Sequence, residues 1–461
     1  MSEASSGGAS RESRPLRDTD HAAVLKTAIE SRTASIAIVG MGYVGLPLAK
    51  AALDAGLSVI GIDIDPERVR KLNEGQSHVR HVSSGLIAEA VAARRFYATT
   101  DFVAIAEADA VVICVPTPLT RNREPDLTFI VRTAKEILPH LRRGHLVVLE
   151  STTYPGTTSD VLKPILEAGG LLSGTDFFLA FSPEREDPGN TEFGTARIPK
   201  VVGGLDPVAL AMADTLYGAL VDKTVKVSSA ATAEAVKLTE NIFRAVNIAL
   251  VNELKVVFSS MGIDVWEVIE AAKTKPFGFM PFYPGPGLGG HCIPIDPFYL
   301  TWKAREYDVS TRFIELAGEI NVRMPYWVLD RLVEALDRQA GRGLSGARIL
   351  IVGLAYKKNV DDMRESPSLK LIELIEERGA RVDYYDPFIP VIPVTREHAA
   401  LAGRRSESLD PEVIARYNAV LIATDHDYVD YKSIAQNGKL VIDTRNVCER
   451  AGARGPHIVK A

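Results

Sequence analysis

The sequence predicts an α/β fold in which two doubly wound parallel sheets are joined by a central helical region with one long helix. Short apolar runs alternate with helical patterns in the first and the last part of the chain, and this alternation is typical of a parallel sheet covered by helices. Between them, the stretch Ala230–Met261 contains no proline and no glycine, which predicts a single long helix.

Composition limits the classes of protein that the chain can represent. Its 461 residues correspond to roughly three domains of ordinary size. A hydrophobic fraction of 46% and a charged fraction of 24% are typical of a soluble globular protein. The net charge of −6 provides no overall attraction to nucleic acid or anionic lipid, and no uncharged apolar run reaches the roughly 18 residues of a membrane span. We therefore expect no nucleic acid and no membrane as partners.

Cysteine usage favours a cytoplasmic location and no metal site. Cys114, Cys292 and Cys448 are an odd number of widely spaced thiols without a Cys-x-x-Cys pair, which argues against a disulfide scaffold and a zinc site. Cys114 lies within an apolar run, so we expect it in the core. Cys448 has no motif around it.

The elements of the first region follow from apolar periodicity. Residues Met1–Asp20 are rich in Ser, Gly and Arg, which predicts a disordered tail without a signal peptide. A short helix is expected at His21–Ser31 and another helix at Leu46–Ala55. Five strands are expected, at Ser35–Gly40, Leu57–Asp63, Ala110–Val115, Leu146–Glu150 and Phe177–Phe181.

The middle and last regions follow by the same reasoning. After the long helix comes a segment rich in proline and glycine, Lys275–Gly290, which predicts a stiff loop that ligand can approach. A helix is expected over Thr311–Ala340. A second strand-turn-helix unit begins at Arg348–Ala355, and further strands are expected at Val382–Asp386, Ala419–Ala423 and Leu440–Asp443.

A dinucleotide site is predicted at the first turn, Gly40-Met-Gly42-Tyr-Val-Gly45, which lies between an apolar strand and a helix. The first glycine permits the tight turn, the second lets backbone approach a pyrophosphate, and the third lets helix pack on strand. An ordinary tight turn is the alternative. Asp63 ends the next strand, where a carboxylate binds the ribose 2′-hydroxyl of NAD. Arg68 nearby leaves open a 2′-phosphate.

Chemistry-bearing residues cluster in the middle of the chain. Cys292 follows two glycines, so it is either an accessible nucleophile or a structural thiol. Lys237 and Asn241 share a helix face, which fits either an oxyanion site or a solvated surface. Glu184 and Thr153 follow predicted strands, and ligands of open α/β sheets bind at the carboxyl ends of strands.

Four ordered motifs together resemble the UDP-glucose/GDP-mannose dehydrogenase family over about residues 35–450. They are Gly40-Met-Gly-Tyr-Val-Gly-Leu-Pro47, Lys237-x-x-x-Asn241, Gly-Gly-His-Cys292-x-x-x-Asp296 and Gly353-Leu-Ala-Tyr-Lys-Lys-x-x-x-Asp-x-Arg-Glu-Ser366. The resemblance implies two Rossmann-like domains: an NAD-binding domain at 35–227 and a UDP-sugar-binding domain at 336–461. A central helical, dimerising domain at 228–335 would separate them, with the tail and lead helix at 1–34.

By this resemblance, Cys292 bonds covalently to the substrate during a four-electron oxidation of a sugar C6 to a carboxylate. Lys237 and Asn241 would stabilise oxyanions, Asp296 and Glu184 would handle protons, and Thr153 would hold water. The NAD site would comprise Gly40, Gly42, Tyr43, Val44, Gly45, Asp63, Arg68, Thr117 and Arg364, with Arg364 acting on this site or on that of a neighbouring subunit. The UDP-sugar site would comprise Glu184, Lys237, Asn241, Tyr283, Gly287, Gly289, Lys357 and Arg445.

The segments Phe279–Tyr299 and Glu150–Thr157 resemble the branch of the family that oxidises UDP-N-acetylglucosamine, on the route to surface polysaccharides. UDP-glucose, an epimeric UDP-N-acetylhexosamine and GDP-mannose remain alternatives. Pro188 stands where UDP-glucose enzymes usually carry a second carboxylate, so the sequence departs from the pattern of those enzymes at this position. Two other classes also compete. A hydroxyacid dehydrogenase would perform a single oxidation, and a sugar-nucleotide-binding protein would perform none.

Overall fold

The computed structural model describes residues 20–79, 82–120, 122–185, 197–290, 293–395 and 398–461. The predicted tail, up to residue 19, lies outside these ranges, as does Cys292. Within them, no helix is long and apolar enough to cross a membrane.

An eight-stranded sheet forms the first part of the molecule. Its strands are β1 (Ser35–Val39), β2 (Ser58–Ile62), β3 (Phe96–Thr99), β4 (Ala110–Ile113), β5 (Leu146–Leu149), β6 (Phe178–Phe181), β7 (Lys200–Gly204) and β8 (Thr224–Lys226). They lie in the order β3-β2-β1-β4-β5-β6-β7-β8. Neighbouring strands are parallel except β6 and β7, which are antiparallel.

Helices cover both faces of this sheet because its strands are apolar on both faces. They are α1 (His21–Glu30), α2 (Gly45–Asp54), α3 (Pro66–Asn73), α4 (Ser84–Ala92), α5 (Thr128–Ile137), α6 (Lys163–Glu167) and α7 (Pro207–Leu220). Along β1, Ile36 and Ile38 pack into one hydrophobic cluster. Ala37 and Val39 pack into the cluster on the opposite face. A central strand therefore contributes to two cores.

The middle of the chain consists of helices α8 (Ala230–Ser260), α9 (Val265–Ala272), α10 (Asp296–Ala304) and α11 (Arg312–Ala340). Ser229 caps the N-terminus of α8, and its hydroxyl accepts a hydrogen bond from the Thr232 amide at 3.1 Å. Helices α8 and α11 are joined by a buried amide pair, in which Asn252 Nδ2 donates to Asn321 Oδ1 at 2.9 Å. This bond fixes how the two long helices align.

A five-stranded parallel sheet forms the last part, in the order β10-β9-β11-β12-β13. Its strands are β9 (Arg348–Val352), β10 (Arg381–Tyr385), β11 (Ala419–Ile422), β12 (Val441–Asp443) and β13 (Ile458–Lys460). The helices of this part are α12 (Pro367–Glu377), α13 (Pro411–Ile414), α14 (Tyr431–Asn437) and α15 (Val447–Arg450). The predicted fold class, two doubly wound sheets around a helical middle with one long helix, is confirmed.

The prediction for Cys114 needs a correction. Strand β4 ends at Ile113, and Cys114 lies just beyond it, partly buried instead of in the interior of the strand. The Cys114 carbonyl oxygen lies beside Gly40, 2.6 Å from where a Cβ on that glycine would be. Four strands, β3, β7, β8 and β13, were not predicted. They are short and mix apolar with polar or glycine residues, so they lack an apolar run.

Candidate active site

The turn between β1 and α2 has the shape that a dinucleotide phosphate requires. Gly40 has a φ of +97°, and a Cβ on it would lie 2.6 Å from the carbonyl oxygen of Cys114. A Cβ on Gly45 would lie 2.0 Å from the carbonyl oxygen of Gly40, whereas one on Gly42 would meet nothing within 4 Å. The first and third glycines are therefore fixed by packing, and the second faces open space. A pyrophosphate fits there, at the N-terminus of α2.

Asp63, which was predicted to bind the ribose, follows β2 and braces this turn. Its buried carboxylate accepts hydrogen bonds from the Met41 amide at 2.8 Å and the Asp65 amide at 3.0 Å. It also accepts one from Arg68 Nη1 at 2.8 Å. Because Arg68 is paired with Asp63, its charge is balanced locally. A carboxylate at this position fits NAD, since it repels a 2′-phosphate.

Two further residues of the predicted cofactor set lie beside segments from other parts of the chain. The Arg364 guanidinium lies over the ring of Tyr43, 5.2 Å from its centroid, within the same chain. The carbonyl of buried Thr117 accepts a hydrogen bond from the Tyr299 hydroxyl at 2.7 Å. Val44 is the residue just before α2. The turn after β1 thus contacts the loop after β9, and the loop after β4 contacts α10.

The predicted catalytic residues of α8 face the interior. Lys237 and Asn241 are 7% and 2% exposed, so they do not form a solvated helix face. Asn241 Nδ2 donates to Asp296 Oδ2 at 2.5 Å, and Lys237 Nζ donates to the backbone carbonyl of Glu184 at 2.5 Å. The structure therefore brings Lys237, Asn241, Asp296 and Glu184 together from three separate segments.

Asp296, the first residue of α10, has a pKa that lies near neutral pH. Burial raises its pKa to about 7, although the charges of Lys237 and Arg244 and the hydrogen bond from Asn241 act in the opposite direction. A carboxyl with such a pKa can both accept and release a proton at physiological pH.

Thr153 lies in the loop after β5, and a buried glutamate holds this loop against α8. Glu234 accepts hydrogen bonds from the Gly156 amide at 2.6 Å and the Thr158 amide at 2.9 Å, and the Thr158 hydroxyl donates to it at 2.6 Å. Burial raises the pKa of Glu234 to about 7. The sequence reasoning missed Glu234, although its place one turn before Lys237 on α8 was an available signal.

Two buried residues beside Glu184 were also missed. Lys200, the first residue of β7, has its Nζ 3.0 Å from Glu150 Oε2 and 3.7 Å from Glu184 Oε2. Glu150 also accepts a hydrogen bond from the hydroxyl of Tyr217 on α7. No sequence motif joins these residues, because their partners are distant along the chain.

The glycines before Cys292 are packed against the loop after β9. A Cβ on Gly289 would lie 2.6 Å from Tyr356 Cβ, and one on Gly287, whose φ is +142°, would lie 3.1 Å from Pro367 Cβ. The Gly290 amide donates to the carbonyl of Arg364 at 3.0 Å. The glycines thus admit a neighbouring chain segment, a role that the sequence reasoning did not consider.

One predicted substrate residue of the last part, Lys357, lies in a second glycine turn. Gly353 has a φ of +89°, and Lys357 follows it in a half-buried position. Asp386 braces this turn by accepting hydrogen bonds from the Leu354 and Ala355 amides at 2.6 and 2.9 Å. The arrangement repeats that of Asp63 at the first turn.

Arg445 and Tyr283 occupy different surroundings. Arg445 Nη1 would lie 2.5 Å from a Cβ on Gly285, so this partly buried cation packs against the proline- and glycine-rich loop. Burial lowers the pKa of Arg445. Tyr283 is 40% exposed, donates to Glu270 Oε1 at 2.9 Å and stacks on Trp266. The structure therefore places Arg445 against the loop and Tyr283 against α9.

The sequence was compared with known proteins. Three domain models of the UDP-glucose/GDP-mannose dehydrogenase family match: the NAD binding domain at residues 34–221, the central domain at 231–323 and the UDP binding domain at 350–450. A UDP-N-acetyl-D-glucosamine 6-dehydrogenase of Pseudomonas aeruginosa is 37% identical, covering 79% of this chain and 85% of that protein. An NDP-N-acetyl-D-galactosaminuronic acid dehydrogenase of Ralstonia solanacearum is 35% identical, covering 91% and 97%.

Solved structures agree with these matches. A UDP-D-ManNAc dehydrogenase from Pyrococcus horikoshii has a TM-score of 0.80 at 35% identity, covering 90% of this chain and 96% of that one. A UDP-glucose dehydrogenase from Pyrobaculum islandicum has a TM-score of 0.78 at 28% identity, covering 93% and 97%.

Substituting Gly42 by Ala should weaken NAD binding by at least about tenfold while leaving the unfolding temperature unchanged. The added methyl group meets no protein atom within 4 Å, so it fills only the open space that the pyrophosphate needs. Isothermal titration with NAD and thermal unfolding measure the two effects.

The matched variant Gly45→Ala should instead destabilise the fold by about 1–3 kcal/mol or more, because its methyl group meets the Gly40 carbonyl at 2.0 Å. A Gly42→Ala protein that binds NAD normally would contradict the placement of the pyrophosphate.

Substituting Asp296 by Asn should remove a pH dependence of stability. The pKa of Asp296 is raised from 3.8 to about 7, so between these values the native state binds a proton that the unfolded chain has released. Wild-type stability therefore falls as the pH rises through this window, and the loss is complete above the folded-state pKa. The unfolding temperature of the variant relative to wild type should increase from pH 5 to pH 8.

The exposed control Asp330→Asn should show no such trend. An unfolding-temperature difference between Asp296→Asn and wild type that is the same at both pH values would show that Asp296 is not the group responsible.

Proposed function

Because the chain belongs to the UDP-glucose/GDP-mannose dehydrogenase family, we propose that it oxidises C6 of a UDP-sugar to a carboxylate through a covalent bond to Cys292. The chain is an NAD-dependent dehydrogenase, and NAD is its cofactor. We propose that residues 35–227 bind NAD, 228–335 form the central domain and 336–461 bind the UDP-sugar. The proposal rests mainly on the buried cluster formed by Lys237, Asn241 and Asp296. Asp296 is four residues after Cys292 in the sequence.

When bound, NAD accepts one hydride from C6 in each of two oxidations. In the first, the sugar hydroxyl loses its proton to the Asp296 carboxylate, which its pKa near 7 allows. Lys237 and Asn241 donate hydrogen bonds to the oxygen on which negative charge develops. The alcohol thereby becomes an aldehyde.

In the second oxidation, the Cys292 thiolate adds to the aldehyde carbon, and the resulting thiohemiacetal loses a hydride to become a thioester. Water then adds to the thioester carbon, the carbon–sulfur bond breaks and Cys292 leaves as a thiolate. Glu184 accepts the proton of the water, and Thr153 helps to hold that water. The covalent bond retains the intermediate while the reduced cofactor is exchanged.

We propose UDP-N-acetylglucosamine as the substrate. The relative named for this sugar is 37% identical, and the segments Phe279–Tyr299 and Glu150–Thr157 resemble that branch. Relatives named for N-acetylmannosamine and N-acetylgalactosaminuronic acid are 35% identical, so the acetamido group is the better supported part of the proposal. The product would be a uronate for surface polysaccharides.

We also propose a homodimer that buries one face of α8. Phe243, Leu250 and Val257 recur every seven residues along this helix, and each side chain is between 44% and 53% exposed. Apolar residues at this spacing form one stripe, which is the pattern of a helix that packs against a partner helix.

With UDP-N-acetylglucosamine, the enzyme should form two NADH per uronate, faster than with UDP-glucose, UDP-N-acetylgalactosamine, UDP-N-acetylmannosamine or GDP-mannose. Absorbance of NADH and chromatography of the product measure the ratio and the preference. One NADH per product would indicate the single oxidation of a hydroxyacid-type dehydrogenase. NAD binding without any reduction would indicate a binding protein.

Substituting Cys292 by Ser tests the covalent step separately. The variant should lose net turnover, because an alcohol does not replace the thiolate, but should bind NAD as the wild type does. Cys448→Ser is the matched control, since that thiol is buried elsewhere, in α15, and it should keep full activity. A Cys292→Ser enzyme that still makes the uronate would exclude the thioester.

Substituting Leu250 by Glu should convert the dimer to a monomer of 50.1 kDa, because the charge would be desolvated in the interface. Light scattering after size exclusion measures the mass. Val394→Glu, at an exposed loop position outside the stripe, should remain dimeric. A wild-type protein that already elutes as a monomer would refute the proposal.

A further inference from the structure

We infer that Lys200 is a positioning residue that holds the Glu184 carboxylate for hydrolysis of the thioester, from a buried anchor formed by Glu150 and Tyr217. This inference rests on the proposed function. It adds a role for three residues, Lys200, Glu150 and Tyr217, none of which was predicted as a site residue.

The reversed strand β7 explains why a lysine reaches this position. In the antiparallel pairing, Phe181 lies opposite Gly203 and Ala180 opposite Gly204. Continuing the same register places Lys200 opposite Glu184. A parallel strand would begin at the other edge of the sheet, but β7 begins at the carboxyl end of β6, where ligands of such sheets bind. The strand direction therefore brings a cation to the site.

The two residues that anchor Lys200, Glu150 and Tyr217, are both buried. Glu150 is buried, its Oε2 lies 3.0 Å from Lys200 Nζ, and its Oε1 accepts a hydrogen bond from the Tyr217 hydroxyl. The Lys200 ammonium also lies over the Tyr217 ring, 5.1 Å from its centroid. Because an unpaired buried charge is costly, Glu150 and Lys200 require each other.

The Lys200 ammonium also faces the Glu184 carboxylate. Its Nζ is 3.7 Å from Glu184 Oε2, and the Glu184 side chain is 14% exposed. Burial opposes the charge of Lys200, but the two carboxylates outweigh it, so its pKa is raised and it stays protonated. A fixed ammonium at this distance orients the carboxylate by electrostatic attraction.

The backbone around Glu184 is held independently of its side chain. Lys237 Nζ donates to the Glu184 carbonyl at 2.5 Å. Arg185 Nη1 donates to the Pro199 carbonyl at 2.5 Å, and Arg185 Nη2 donates to Glu240 Oε1 at 2.5 Å. Loss of Lys200 should therefore remove one interaction that orients the Glu184 carboxylate while its main chain stays in place.

The step concerned is redox-neutral. Water forms a bond to the thioester carbon, its proton passes to Glu184, the carbon–sulfur bond breaks and the Cys292 thiolate leaves. Misplacing the Glu184 carboxylate slows the transfer of this proton, while both hydride transfers precede it. The expected signature is a fast release of two NADH per site followed by slow turnover.

The decisive variant is Lys200→Met combined with Glu150→Gln, which removes the charge pair together and leaves an oxygen for the Tyr217 hydroxyl. We expect kcat to fall by at least about tenfold, with KM for NAD and for the sugar nucleotide within about twofold of wild type. Rapid mixing should show an NADH burst, and intact mass spectrometry should show the acyl adduct on the enzyme. Glu184→Gln should give the same signature.

Two further variants act as controls. Lys200→Arg restores the cation and should suppress the burst. Tyr217→Phe removes one hydrogen bond of the anchor but keeps the Lys200–Glu150 charge pair, so it should lower kcat less than the double variant does.

Wild-type kinetics, or a loss of activity with raised KM values and no burst, would overturn the role of Lys200. A wild-type enzyme that forms one NADH per product would instead overturn the proposed function, so the two failures are distinguishable.

Discussion

The buried polar face of α8 is the constraint on which the rest of the site depends. A helix that buries polar side chains must supply each with a partner, since an unpaired buried group costs a few kcal/mol. In α8 the partners come from different segments. Glu234 holds the loop after β5, Lys237 the end of β6, Asn241 the start of α10 and Asn252 the helix α11. The hydrogen bonds that satisfy one helix therefore assemble the site.

Cations in the interior explain how a chain with a negative net charge can bind anionic ligands. The net charge is −6, yet Lys237 is a buried cation and Arg445 a partly buried one. In surroundings of low dielectric, a few fixed cations act more strongly than a larger number at the solvated surface. Selective attraction of a diphosphate and a dinucleotide thus requires no basic surface.

Much of the fold could be predicted because its signals are local. The apolar runs gave the central strands, the absence of breakers gave α8, and the glycine turn with Asp63 marked one site within a short stretch of chain. The spacing of Lys237 and Asn241 placed them on one face, but only the fold decided that this face is buried.

The residues that escaped prediction act through long-range pairing. Lys200 has meaning only opposite Glu184, and this depends on the reversed direction of β7, which no local pattern encodes. Gly289 and Gly290 carried a visible signal, but its cause is the contact with Tyr356 from another part of the chain.

The contacts of Arg364 connect two loops that do different work. Its carbonyl accepts a hydrogen bond from the amide of Gly290, in the loop that leads to Cys292. Its guanidinium lies over the ring of Tyr43, in the turn between β1 and α2. Coupling between two sites is reciprocal. If a bound dinucleotide fixes Arg364 and so favours its contact with Gly290, then that contact must strengthen dinucleotide binding by the same free energy. One arginine therefore contacts both loops, and any coupling that passes through it acts equally in the two directions.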